Sequence, residues 1–224
     1  MDPHAFLLPP FFDYAATFLW AVSGALMGAR RGYDFVGIFI LSMVSATGGG
    51  LLRDGLFLQD GPPVLVRSNV YLGIVAAGTI LVMSFGKRVE KFKGFEALVS
   101  LVDALGLGAY AVVGTNRAMI LGLSLPGSVL VGMVNAVGGA ILRSVLVARE
   151  PHLFKPGALE AAAALIGCGI FVLLVETSWL DETRAAWVTI AAVFVIRVLS
   201  VRYRLQTRAL SDFAEPPADA KPST

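Results

Sequence analysis

The chain has 224 residues, 56% of them hydrophobic and only 15% charged, with a formal net charge of +2. Soluble domains carry about 25% charged residues, so this composition leaves too little polar surface to coat a water-soluble globule. So small a net charge gives no electrostatic footprint for nucleic acid. One cysteine, Cys168, and two separated histidines, His4 and His152, supply neither a disulfide framework nor a metal site.

The charges are segregated between apolar runs. A bilayer core of about 30 Å takes about 20 helical residues to cross, and hydropathy predicts seven such spans: 13–29, 35–57, 70–85, 97–114, 125–147, 158–175 and 186–201. They are continuous runs rather than the ten-residue alternations of a barrel, so the expected class is an all-α integral membrane protein.

In chain order, the N-terminus lacks the basic region of a cleavable signal peptide, and Asp13 opens a first span that is expected to be retained. Gly24 and Gly28 form a small-residue packing motif on it. The string from Gly24 to Gly32 superficially suggests a phosphate loop, but it follows a membrane helix rather than a strand and fails that test of context. Trp20 and Tyr110, at matching positions of the first and fourth spans, read as core aromatics or as formers of a constriction. Gly167 and Gly169 give the sixth span a small surface, with Cys168 as an inert buried thiol. The segment after Arg208 has a disordered composition.

Lysine and arginine set the orientation. Arg30, Arg31, Lys87, Arg88, Lys91, Lys93, Arg149, Lys155, Arg202, Arg204 and Arg208 fall on one side of the seven spans. Arg53, Arg67, Arg117 and Arg184 fall on the other, a ratio of eleven to four. The side with eleven is expected to be cytoplasmic, which places the N-terminus outside, the C-terminus inside, and the protein in the inner (plasma) membrane.

An internal repeat organises the chain. Displaced by 90 residues, Asp13 meets Asp103, Gly24 meets Gly114, and Gly48-Gly-Gly-Leu-Leu-Arg53 meets Gly138-Gly-Ala-Ile-Leu-Arg143, with 13 identities over 42 positions. Beyond the motif the offset becomes 88, pairing Pro63 with Pro151 and Arg67 with Lys155. Three spans per unit is an odd number, so the second unit enters from the opposite face, as in the inverted repeats of transporters and some channels. The expected organisation is a three-helix repeat over 1–86, its inverted copy over 97–176, a seventh helix over 184–204 and a cytoplasmic tail over 205–224.

The second and fifth spans carry Gly48, Gly49, Gly50, Gly138 and Gly139 at mid-membrane. Glycine within a helix costs about 1 kcal/mol relative to alanine, so these positions suggest a kink or local unwinding beside a polar path; close helix packing is the alternative. At 3.6 residues per turn, Ser42, Ser45, Gly49 and Arg53 share one face, matched by Gly132, Asn135, Gly139 and Arg143. Arginines inside spans are expensive and usually partnered. The order of the spans suggests the pairs Asp13–Arg53 and Asp103–Arg143, one near each mouth, with headgroup snorkelling as the alternative. Asp54 is matched by Ser144, so the mouths are not equivalent. No catalytic constellation appears, and no enzyme is expected.

The two glycine–arginine motifs on a plan of three plus three plus one helices resemble the bacterial and archaeal members of the trimeric intracellular cation (TRIC) channel family, over roughly 13–204. The resemblance implies a homotrimer with one pore in each protomer, lined around the second and fifth helices. It implies conduction of monovalent cations, chiefly K⁺ with some Na⁺, without a cofactor, and it carries over to Gly48, Gly49, Gly50, Arg53, Gly138, Gly139 and Arg143. Besides the permeant ions, the partners it leaves are membrane lipids. The basic lipid-binding motif of animal members has no match here. The alternative function is secondary transport of a small solute such as glycine.

Overall fold

In a computed structural model of the chain, the described residues are 9–59, 61–63, 66, 68–90, 95–150, 159–203 and 205, by backbone alone at 86–90, 95–96 and 98–99. The expectations for His4, His152, Arg67, Lys155, the side chains of Lys87 and Arg88, Lys91, Lys93 and the tail from 206 fall outside what is described. Seven α-helices make up the described residues: α1 (Pro10–Arg30), α2 (Phe35–Leu52), α3 (Asn69–Glu90), α4 (Phe95–Ile120), α5 (Leu125–Leu146), α6 (Glu160–Glu176) and α7 (Glu182–Arg202). Helix α2 does not stop at Leu52. It widens into a π-turn, Arg53–Leu58, that ends at Gln59 with a left-handed φ of 49°.

The repeat is visible in how the helices begin and turn. Between α1 and α2 the chain reverses at Gly32 (φ 70°), and between α4 and α5 at Gly122 (φ 75°), ninety residues later. Two positions on, Asp34 caps α2 by accepting the Gly37 N–H at 2.8 Å, and Ser124 caps α5 by accepting the Gly127 N–H at 3.3 Å. Both side chains satisfy an orphan donor of the first helical turn. Helices α1, α2 and α3 pack on one another as α4, α5 and α6 do. The units meet through α1 against α4 and α2 against α5, while α7 packs chiefly on α4 and α6 and touches the start of α1 through Trp187 against Phe12.

The distribution of side chains is that of a membrane protein. Ile40, Ile80, Leu130, Leu165, Leu173 and Val195 are exposed on the outside, while Ser42, Thr79, Thr115, Asn135, Arg53, Arg143 and Arg197 are buried within. By length and composition, Phe35–Leu58, Leu125–Leu146 and Glu182–Arg202 suffice to cross a membrane. Glycine at 24 and 28 fits α1 tightly to α2: a Cβ at Gly24 would fall 2.6 Å from Ser45 Cβ, and one at Gly28 would fall 3.2 Å from Ile38 Cα. Gly167 faces Val193 of α7 closely, whereas a side chain at Gly169 would meet open space.

Candidate functional site

Helices α2 and α5 cross at their glycines. A Cβ on Gly49 would run into the Asn135 carbonyl oxygen, and one on Gly139 into that of Ser45; Gly48 and Gly138 lie against Gly139 and Gly49 in turn. Asn135 is Ser45 displaced by ninety, so the contact is repeated about a pseudo-twofold axis. Both helices keep α-helical structure through the glycines, which corrects the expectation of unwinding there. The reason is steric. With backbone pressed on backbone, the glycines are needed for the approach of the two helices, and their own hydrogen bonds stay closed. Where α2 departs from α geometry is one turn further on, at Arg53.

The shared face of Ser42, Ser45, Gly49 and Arg53 is a packed face. Ser42 donates to the Ala21 carbonyl at 2.8 Å, and on α5 Asn135 donates to the Tyr110 carbonyl at 2.7 Å. Of the five motif glycines only Gly50 is open: a Cβ there meets only Arg53 Nη2, at 3.9 Å.

A cavity of about 30 Å³ lies on one side of the crossing, lined among others by Asp13, Thr17, Arg53, Asp54, Tyr71 and Tyr110. Arg53, 4% exposed, grips Asp54 with both arms of its guanidinium, Nε to Oδ1 at 2.7 Å and Nη2 to Oδ2 at 3.2 Å. Asp13 accepts instead from the Tyr71 hydroxyl of α3. The expected Asp13–Arg53 pair is replaced by two others around the same space, with the planar guanidinium taken bidentately by Asp54. The Tyr110 hydroxyl donates to the Ala46 carbonyl and lies 3.0 Å from Thr17 Oγ1, tying α4 to α2 and α1.

On the other side lies a cavity of about 200 Å³, lined by Trp20, Asp103, Arg143, Ser144, Glu160 and Arg197 among others. It repeats the first. Asp13, Thr17, Thr47, Gly50, Leu51, Arg53 and Asp54 have their counterparts there in Asp103, Leu107, Val137, Ala140, Ile141, Arg143 and Ser144, and Tyr110 has Trp20. Ser144 cannot hold a guanidinium as Asp54 does, so Arg143 turns inward. Its Nη1 donates to Ser23 at 2.6 Å and to Ser45 at 3.3 Å, and its Nη2 stands 3.8 Å from Asp103 Oδ2. Ser23 in turn donates to Asp103 Oδ1 at 2.7 Å. The guanidinium lies 5.3 Å from the Trp20 ring centre, a cation–π distance. Trp20 and Tyr110, both buried, stand 6.5 Å apart and line one cavity each.

Thr17, Ser23, Tyr71, Glu160 and Arg197 had not been singled out in the sequence. Tyr71 carries no signal beyond a hydroxyl at the start of a span. Arg197 does carry one, an arginine inside the predicted span 186–201, and such residues usually face the bundle interior with a partner. It is 5% exposed and paired with Glu160 of α6 at 2.8 Å.

The family model described as "Glycine transporter" matches residues 10–87 and 100–176, the two repeats. The chain is 37% identical over 163 residues to the UPF0126 membrane protein of Deinococcus radiodurans, covering 72% of this chain and 74% of that one. It is 26% identical to the UPF0126 inner membrane protein YadS of Escherichia coli K12, over 89% and 95% of the two chains. Among solved structures, the TRIC trimeric intracellular cation channel orthologue from Rhodobacter sphaeroides superposes with a TM-score of 0.79 at 26% identity, over 86% of this chain and 96% of that one. The repeat, the glycine crossing and these likenesses place the chain in the family of the glycine-transporter model, as a prokaryotic member of the TRIC family.

Proposed function

We propose that the chain is a cation channel, chiefly for K⁺ with some Na⁺, working as a homotrimer with one pore through each protomer. All seven helices span the inner membrane, with the N-terminus outside and the C-terminus in the cytoplasm. The path runs through the two repeated cavities and past the α2–α5 crossing. The observation that carries this reading is that a carboxylate and a buried arginine recur at equivalent places on both sides of one glycine contact. Fixed positive charge on a cation path is tolerable when a carboxylate offsets its field, and each arginine has one. Among the described residues the cavities share no lining residue, and the crossing between them leaves no room for a methyl group on Gly49 or Gly139, which we read as a closed state. The similarity to the Rhodobacter sphaeroides cation channel orthologue supports the same reading.

One observation favours a second reading, secondary transport of a small solute. Two cavities on opposite sides of a closed midplane, in an inverted repeat, are also the geometry of alternating access. Recording the purified protein in a planar bilayer under asymmetric KCl separates the two. Unitary currents that reverse near the K⁺ equilibrium potential support the channel. Electrical silence together with saturable solute uptake into liposomes overturns it in favour of the transporter.

A further inference from the structure

The two repeats hold their arginines differently. Arg53 is taken on Nε and Nη2 by the carboxylate of the next residue, Asp54. At the equivalent place after Arg143 stands Ser144, whose hydroxyl is turned back to the Ala140 carbonyl at 2.8 Å. Arg143 gives Nη1 to Ser23 and Ser45 and brings Nη2 to 3.8 Å from Asp103, but its Nε is buried with no hydrogen-bond partner among the described residues. The cavity on that side is also the larger, about 200 Å³ against about 30 Å³.

A second arginine in the same wall is in the same condition. Arg197 gives Nη2 to Glu160 at 2.8 Å, and its Nε and Nη1 are buried without a partner among the described residues. Guanidinium nitrogens are donors only, and a buried donor left without an acceptor is costly. Three such donors, on two side chains that line one cavity, call for an acceptor from outside the chain. A charged acceptor answers best, because charge-assisted hydrogen bonds are the stronger kind.

We propose that this cavity is a binding site for a small solute bearing a carboxylate, which takes at Arg143 the part that Asp54 takes at Arg53 and also receives Arg197. A carboxylate there reproduces the composition of the twin. The first cavity sets Asp13 and Asp54 about Arg53; the second then sets Asp103 and the guest about Arg143, while Arg197 and Glu160 offset each other. A phosphate dianion would bring a further negative charge against Asp103 and Glu160. The apolar part of the wall, Leu107, Val137 and Ile141, suits a short aliphatic body. The site requires neither conduction nor transport, so it stands or falls separately from the function proposed above.

The test uses Trp20, which lines this cavity with its ring centre 5.3 Å from the Arg143 guanidinium. In the full chain carrying Trp179→Phe and Trp187→Phe it is the one remaining tryptophan. Acetate, glycine, methylamine and phosphate are titrated separately into the detergent-solubilised protein at constant ionic strength while indole fluorescence is followed. Ligand-detected NMR on the same samples registers binding that the indole does not sense. Saturable binding of acetate is expected if a simple carboxylate suffices, and of glycine alone if Asp103 or Glu160 must also receive an ammonium group; either result supports the site. Methylamine is expected not to bind, and phosphate to bind more weakly than the carboxylate. Arg143→Gln and Arg197→Gln are each expected to weaken binding about ten- to a hundredfold. Ser144→Asp, which places a fixed carboxylate in the wall as the first repeat has it, is expected to weaken it as well, and it carries the test if the glutamine variants fail to assemble as judged by size-exclusion chromatography. Saturable binding of neither acetate nor glycine means that water alone fills the cavity, and overturns the inference. So does an affinity that Ser144→Asp leaves unchanged, or a response led by phosphate or methylamine.

Discussion

Gly49 and Gly139 face each other across the bundle, each seated on the carbonyl of the residue four positions before the other: Gly49 on Asn135, Gly139 on Ser45. A methyl group at either site would press on backbone rather than on a side chain able to turn away, so α2 and α5 would have to part. Gly49→Ala and Gly139→Ala are therefore expected to destabilise by at least the 1–3 kcal/mol typical of overpacking, although alanine is the better helix former. Gly50→Ala is expected to be neutral, because its Cβ meets open space and the matching position is already Ala140. Thermal melting of the detergent-solubilised protein, followed by size exclusion, checks the contrast; equal melting of all three variants would show that the crossing is looser than described.

Tyr71 and Tyr110 both line the small Asp54-side cavity. Tyr71→Phe removes the hydroxyl that ties α3 to Asp13 and leaves the ring in place. Open probability is expected to rise in single-channel records, with little change in unitary current. An unchanged open probability would mean that this bond plays no part in holding the channel shut.

Ser23 joins Arg143 to Asp103, accepting from one at 2.6 Å and donating to the other at 2.7 Å. Asp103→Asn is expected to lower cation conductance by uncovering the arginine, and Arg143→Ala to raise it. In the double variant the effects should be non-additive, with coupling of about 0.5–3 kcal/mol. Ser23→Ala, which cuts the bridge, should reduce that coupling. Additive effects in all combinations would mean that the three groups act separately.

Arg149 and Trp179, both exposed, follow successive helices of the second unit and so stand on opposite sides of the membrane. A cysteine at position 179 is expected to react with an impermeant reagent applied outside intact cells, and one at position 149 only after permeabilisation. The reverse pattern would invert the proposed topology.

Much of this architecture was legible in the sequence. Hydropathy located the helices, and the recurrence of glycine and arginine at a spacing of ninety exposed the repeat. What glycine meant at 48 and 49 was not legible, since a kink and a close approach both ask for a residue without a side chain. Deciding between them requires the partner helix, which lies ninety residues away in the chain. Nor was the Arg53–Asp54 pair accessible, because adjacent residues on a regular helix do not face each other. The pair forms where α2 widens into a π-turn at Arg53, and such turns often mark functional sites. Arg197 was legible but is easily passed over in a helix that has no repeat partner to draw attention to it.

The glycine crossing also has a mechanical side. Where the two units meet at Gly49 and Gly139 they touch on backbone, flanked by the Leu142 and Leu52 side chains against Gly48 and Gly138. The hydrogen bonds that join them lie to either side: Tyr110 to Ala46 toward one cavity, Arg143 to Ser23 and Ser45 toward the other. Such an arrangement is a bearing with a strap at each end. Rocking about it slackens one strap only by tightening the other, so it widens one cavity at the expense of its twin. A continuous pore demands a different movement, in which the bearing surfaces slide or lift apart and both straps yield together. A spin-label distance between α2 and α5 at the level of Gly49 would lengthen in that case, and would hold constant if the halves merely rocked.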